Sequence, residues 1–159
     1  GPPAIPRQTT RMTVEQQTVM TEAETDALLG RRETGVLSLA RADEPYAAPI
    51  SYGYDASDRS FCMRLVSTPG SEKDRFLTDS PQVRFVVYEE DGPTYRSVIA
   101  NGRLELVPRS ALTPDHVERF GAAKRPLFEM WQEAKDELDV RLYELDPDEL
   151  SGRRIDVDQ

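Results

Sequence analysis

Hydrophobic and polar positions change their period several times along this chain, and each change marks an element. Thr21-Glu22-Ala23-Glu24 is a capping-box pattern, in which the threonine hydroxyl and the second glutamate satisfy backbone donors left free at a helix start. The spacing beyond it predicts a helix from about Glu22 to Arg32 that buries Ala27 and Leu28, with Val19 a further candidate for the same apolar face. After Gly35 the period shortens to that of an extended chain. Val36, Leu37, Leu39 and Ala40 make one strand, Asp43-Glu44-Pro45 turns the chain, and Tyr46 to Tyr54 returns as the second arm of a hairpin. Asp55-Ala56-Ser57-Asp58 is another polar turn, and Phe61 to Val66 supplies a third strand.

Ser67-Thr68-Pro69-Gly70-Ser71 then breaks the pattern, with Ser71 placed to cap a short helix reaching about Leu77. Ser80-Pro81 ends that helix, because the residue before a proline is pushed out of helical backbone. Gln82 to Glu89 forms a strand around Phe85-Val86-Val87, Glu90-Asp91-Gly92-Pro93 turns, and Thr94 to Val107 is one long strand. Gly102 within it permits a bend or bulge that lets a sheet curl. Thr113-Pro114 opens a helical segment to about Lys135, given apolar surface by Phe120, Leu127, Phe128, Met130 and Trp131 and interrupted near Gly121 and Pro126. Val140, Leu142, Tyr143 and Leu145 predict a last short strand, and the polar tail from Asp146 is expected to dock only in part. The fold class expected is mainly β with flanking helices (α+β), its five or six strands with short connections curling into a barrel.

Residues 1–12 carry three prolines and no apolar period, which predicts a disordered arm, and Gly1-Pro2 reads as a protease-cleavage remnant. Residues 13–159 then form one domain, since a chain of 159 residues can bury a single sufficient core. No apolar run approaches the roughly 20 residues of a membrane span, and no basic-then-apolar leader is present, so a soluble cytoplasmic protein is expected. A net charge of −9 argues against nucleic acid or an anionic membrane as partner. Lysine occurs only at Lys73, Lys124 and Lys135 against 29 Asp and Glu, a balance expected of a halophilic protein whose carboxylate surface stays hydrated in high salt. Cys62 and His116 are each the only residue of their type, which excludes an intrachain disulfide and a thiolate cluster and leaves the carboxylates without a metal-binding partner set. Cys62 is expected as a small buried hydrophobe and His116 as a surface residue.

Chemistry concentrates where the third strand gives way to the short helix. Arg64, Ser67, Thr68, Ser71 and Lys73 fall within ten residues, and a helix start adds unpaired backbone donors, so a phosphomonoester seat is one reading. The other is that the hydroxyls only cap the helix while Lys73 is solvated.

The order of segments resembles the FMN-binding split-barrel family that includes pyridoxamine 5′-phosphate oxidases and nitroimidazole-resistance-type proteins. The resemblance is carried by Gly35-Val36-Leu37-Ser38-Leu39, Pro45-Tyr46-Ala47-Ala48-Pro49-Ile50-Ser51-Tyr52, Phe61-Cys62-Met63-Arg64, Ser71-Glu72-Lys73, Ser80-Pro81-Gln82-Val83, and Tyr95 through Leu104. It covers about Thr21 to Val107. It implies a split β-barrel of about six antiparallel strands that binds FMN at a homodimer interface. Backbone and side chains around Pro49, Ile50, Ser51 and Tyr52 would face the isoalloxazine ring, and Arg64, Ser67, Thr68 and Lys73 would hold the ribityl phosphate. Lys73 aligns with the family's phosphate-binding lysine. Arg96 or Ser97 would approach from the long strand, of this or the other subunit, and Trp131 would pack near the flavin across the dimer. On residue chemistry alone, Pro49 and Ile50 are strand and core, Trp131 is helix packing, and Arg96 pairs with one of many carboxylates.

Two departures bear on function. Glu72 stands where the oxidases carry an arginine beside the lysine, and the basic strand motif of true pyridoxamine phosphate oxidases is absent from Pro49 to Gly53, Arg153-Arg154 being only a faint echo of their substrate-binding end. Vitamin B6 oxidation is therefore not expected. The resemblance implies an FMN-dependent oxidoreductase passing electrons from a reduced nicotinamide to a small acceptor, with the chemistry residing in the cofactor and no side chain named as catalytic acid or base. The alternatives are a non-catalytic flavin carrier or redox sensor, or the same barrel holding a deazaflavin coenzyme or haem.

Overall fold

The computed structural model describes residues 17–67, 75–111, 113–114 and 139–157. The expected arm over 1–12, most of the expected short helix and nearly all of the helical segment after Thr113 lie outside them. In chain order the elements are β1 (Gln17–Val19), α1 (Glu22–Arg31), β2 (Thr34–Arg41), β3 (Glu44–Asp55), β4 (Ser60–Ser67), β5 (Gln82–Asp91), β6 (Thr94–Val107), a 3-10 turn (Arg109–Ala111) and β7 (Asp139–Asp156). The capping box forms as its residues dictate: the Glu24 amide donates to Thr21 Oγ1 at 3.1 Å, and the Thr21 amide donates to Glu24 Oε1 at 3.2 Å.

The strands pair in the order β1-β7-β4-β3-β2-β5-β6, and β6 also pairs with β7, so six antiparallel strands close on themselves. Closure leaves no free edge in the ring. The length of β7 makes this possible. Its first part pairs with β4, from Ser67↔Asp139 to Phe61↔Leu145, its other side pairs with β6 from Val107↔Leu142 to Thr94↔Asp156, and its end carries β1. The tail from Asp146, expected to dock only in part, is thus strand as far as Asp156. Asp, Glu and Gly are poor strand formers, and their run hides a segment whose order comes from its ladder with β6, joined by β1 only at Arg153–Ile155. The same ladder orders β1, whose three exposed residues carry no strand pattern. Gly102 sits at a register shift against β7, where a Cβ would lie 2.8 Å from the Asp146 carbonyl oxygen, so only glycine allows the backbones so close.

Alternate strand residues fill the barrel, among them Leu37, Leu39, Ile50, Tyr52, Phe61, Met63, Phe85, Val87, Val98, Leu104 and Leu145. Tyr52, Phe61 and Phe85 meet edge to face with centroids 5.3 to 5.7 Å apart, a geometry that aligns positive ring edges with negative faces. Helix α1 closes one end. Its buried residues are Thr25, Leu28 and Leu29, spaced i, i+3, i+4. Ala27 lies off that stripe and is exposed, and Val19 is 68 % exposed on β1, so neither joins the apolar face expected of them.

Polar contacts pin α1 on two sides. Arg31 grips Glu89 of β5 with both Nε and Nη2, and Arg96 of β6 donates to the same carboxylate at 3.1 Å. On the other side Tyr54 donates to Asp26 at 2.6 Å, and Arg59 pairs with Asp26 at 3.3 Å. Within the barrel mouth the Tyr52 hydroxyl donates to the Leu29 carbonyl at 2.8 Å. No described helix is long and apolar enough to cross a membrane.

Candidate functional site on the outer face of the barrel

Strand alternation decides which expected site residues share a face. In β3 the side chains of Ile50 and Tyr52 point into the core at 1 % and 3 % exposure; Pro49 and Ser51 have the opposite parity, Pro49 exposed and Ser51 buried at 2 %. Ile50 and Tyr52 thus offer only backbone to anything outside. Burial pushes the Tyr52 phenol above its ordinary pKa, which keeps it protonated and bonded to Leu29. The Tyr54 phenol is pushed up to about 12 by burial and then by Asp26, so neither tyrosine is poised for proton transfer near neutrality.

The neighbouring strand contributes Arg64. Tyr52 pairs with Met63, and one step along the antiparallel register Ser51 and Arg64 occupy the outer face together. Arg64 is half-buried, and among the described residues no carboxylate pairs with it. Arg31, Arg59, Arg75, Arg96 and Arg154 all meet an Asp or Glu. Ser67 ends β4 opposite Asp139. Thr68, Lys73 and Trp131 lie outside the described residues, as do Ser71 and His116.

β6 sends its two expected site residues to opposite faces. Arg96 has the inward parity of Val98 and Ala100 and is held by Glu89 at 3.1 Å, with Asp91 at 3.9 Å. The Glu89 carboxyl is in turn held below its usual range, first by the Arg31 hydrogen bond and further by Arg96. Ser97 faces outward between Tyr88 of β5 and Arg153 of β7. The structure therefore gathers Pro49, Ser51 and Arg64 on the side of β3 and β4 that faces away from the core, with Pro49 exposed, Arg64 half-buried and Ser51 buried. Ser97 lies farther around the barrel, and the Ile50, Tyr52 and Arg96 side chains are kept off that side. Between them runs an apolar row, Pro49-Val36-Val86-Ile99, set by the pairings Val36↔Pro49, Val36↔Val86 and Val86↔Ile99.

At the rim of this row, where α1 hands over to β2, lies a cleft of about 450 Å³ lined by Arg32, Thr34, Gly35, Val36, Pro49, Tyr88, Glu89 and Glu90. Pro49 is the one expected site residue on it. Arg32, Thr34, Tyr88 and Glu90 carry no motif, and only the pairing of distant strands brings them together. A more open cleft of about 630 Å³ is lined in part by Ser38, Arg84, Asn101 and Glu149, where Arg84 donates to Asn101 at 2.8 Å. Among the described residues no group of three His, Cys, Asp or Glu side chains is placed to hold a metal ion. Cys62 is buried on β4.

Comparison with known proteins places this architecture. No curated protein sequence matches the chain. Among solved structures, an FAD binding protein from Mycobacterium smegmatis is 17 % identical, with 89 % of this chain and 100 % of that one covered and a TM-score of 0.65. An FAD-binding protein from Mesorhizobium loti is 21 % identical over 87 % of this chain and 97 % of that one, with a TM-score of 0.63. An FAD and haem binding protein, also from Mycobacterium smegmatis, is 19 % identical over 89 % of this chain and 73 % of that one, with a TM-score of 0.60. At such identities the likeness is one of fold. The family profile described as pyridoxamine 5′-phosphate oxidase matches residues 21–154, from the capping threonine of α1 to the far end of β7. This chain, with its closed antiparallel barrel and its helix-plugged mouth, belongs to the pyridoxamine 5′-phosphate oxidase family.

Proposed function

We propose that the protein binds FMN on the outer face of β3 and β4, at a homodimer interface, and passes electrons from a reduced nicotinamide to a small acceptor. The observation that carries this reading is Arg64, half-buried without a carboxylate partner among the described residues of a chain with 29 Asp and Glu. A cation held partly out of water is costly unless an anion joins it, and a phosphate is such an anion. Lys73, Ser67 and Thr68 follow within nine residues and would complete the phosphate seat. Pro49 and Ser51 would lie along the ring. Beyond Val36, the apolar row continues through Val86 and Ile99 and offers the surface against which a second copy would close and exclude water. The FAD-binding neighbours support a flavin occupant. When bound, the flavin supplies the redox chemistry, and the protein's part is binding, orientation and dryness.

Visible spectra of protein purified in high salt, before and after addition of FMN, test the reading. Two flavin bands are expected, and bleaching by reduced nicotinamide is expected if the protein is an oxidoreductase; bands that resist bleaching indicate a flavin carrier. A colourless protein that takes up no FMN overturns the proposal, and a haem or deazaflavin occupant would declare itself by a different spectrum. Arg64→Ala and Lys73→Ala are each expected to weaken FMN about ten- to a hundredfold, the worth of a charge-assisted contact. Equal losses at Lys124 and Lys135 would show the seat to be misplaced. Light scattering should report a dimer, and a monomer counts against a shared pocket.

A further inference from the structure

The cleft at the end of α1 has a composition that phosphate binding on β4 does not require. Val36 and Pro49, paired across β2 and β3, give it an apolar floor. Tyr88 forms a wall and remains 57 % exposed, a large ring left at the edge of a concave space. Arg32 and Glu90 are both exposed and neither has an ion-pair partner among the described residues, whereas Glu89 between them is engaged by Arg31 and Arg96. An apolar floor, one aromatic wall and two uncommitted groups of opposite charge are the parts of a small-molecule site, and about 450 Å³ lies within the range such sites occupy.

We propose that this cleft binds a planar ring carrying a single negative charge and an N–H donor. The ring lies against Tyr88, Val36 and Pro49, its anion meets the Arg32 guanidinium, and its N–H donates to the Glu90 carboxylate. The offset stacking of rings favours an aromatic occupant over an aliphatic one. Arg32 selects for the anion, and Glu90 disfavours a second negative charge on the same molecule. Because Pro49 also belongs to the face proposed for the flavin, the inference deepens that reading and makes the cleft the seat of the flavin's reaction partner.

Isothermal titration of the full chain without added flavin tests it, with indole-3-carboxylate as probe and neutral indole as comparison. The acid is expected to bind at least about tenfold more tightly than indole, and Arg32→Glu to remove that preference. Tyr88→Ala should weaken both probes and Tyr88→Phe restore them. Arg32 is exposed and makes no ion pair among the described residues, so thermal melting of its variant should match the parent and exclude misfolding as the cause. Failure of indole-3-carboxylate to bind, or equal binding by parent, Arg32→Glu and Tyr88→Ala, overturns the proposal. FMN uptake without binding of the acid sinks the cleft alone; binding of the acid without FMN uptake sinks the flavin reading and leaves the cleft standing.

Discussion

Replacing Tyr52 with Phe removes a single oxygen from the junction between α1 and the barrel, and the structure predicts the cost. That hydroxyl donates to the Leu29 carbonyl at 2.8 Å inside the barrel mouth, where Tyr52 is 3 % and Leu29 1 % exposed. Leu29 lies in the last turn of α1, where carbonyls have no intrahelical donor of their own. Water cannot replace the lost hydroxyl at a site so closed, so the carbonyl's desolvation is left uncompensated, at about 1–3 kcal/mol. Tyr54→Phe is the internal comparison. Its hydroxyl bonds Asp26 at 2.6 Å, but the residue is only half-buried and water can take its place, which limits the loss to about 1 kcal/mol. Urea titrations of the parent and both variants at one protein concentration measure the difference, with an unchanged slope expected because the surface exposed on unfolding is the same. A Tyr52→Phe midpoint at or above that of Tyr54→Phe would refute the assignment of Tyr52 as the latch that seats α1.

The remaining predictions concern packing, protonation and reactivity. Gly35→Ala places a Cβ 2.6 Å from Phe85 Cζ and 2.7 Å from the Val86 carbonyl oxygen, and should cost about 1–3 kcal/mol in urea midpoint analysis, whereas Gly30→Ala on α1 meets nothing within 4 Å and should raise stability by up to about 1 kcal/mol. The Glu89 carboxyl is depressed below 4.5, so its stabilising contribution is complete above that value and is lost as pH falls through the lower folded value. Melting temperatures from pH 7 to pH 3 should therefore show the parent losing its advantage over Glu89→Gln below about pH 4.5, while the depressed carboxyls of Glu24 and Asp156 titrate alike in both proteins. The Cys62 thiol, 2 % exposed, should resist a chromogenic disulfide reagent in the native protein and react fully in denaturant; rapid native labelling would contradict its burial.

Much of this fold is written in local pattern. The capping box places the start of α1 at Glu22, the expected end at Arg32 lies one residue beyond the observed one, and the apolar stretches Val36 to Ala40, Phe61 to Val66 and Phe85 to Val87 locate β2, β4 and β5. Local pattern works there because helix capping and strand alternation involve residues close in sequence. It fails at β7 beyond Leu145 and at β1, whose polar residues become strand only because β6 and β7 supply hydrogen-bonding partners far away in sequence. It also leaves undecided which side of the barrel a site residue faces. Pro49, Ser51 and Arg64 become neighbours through the register of β3 with β4, while Arg96 turns inward to Glu89 and Tyr88 comes to the rim of the same cleft as Arg32. The order of residues was enough for α1, most of the strands and the family resemblance; which charges are neutralised and which stay available follows from the folded barrel, because a guanidinium's partners are set by strand register and barrel closure, not by its place in the chain.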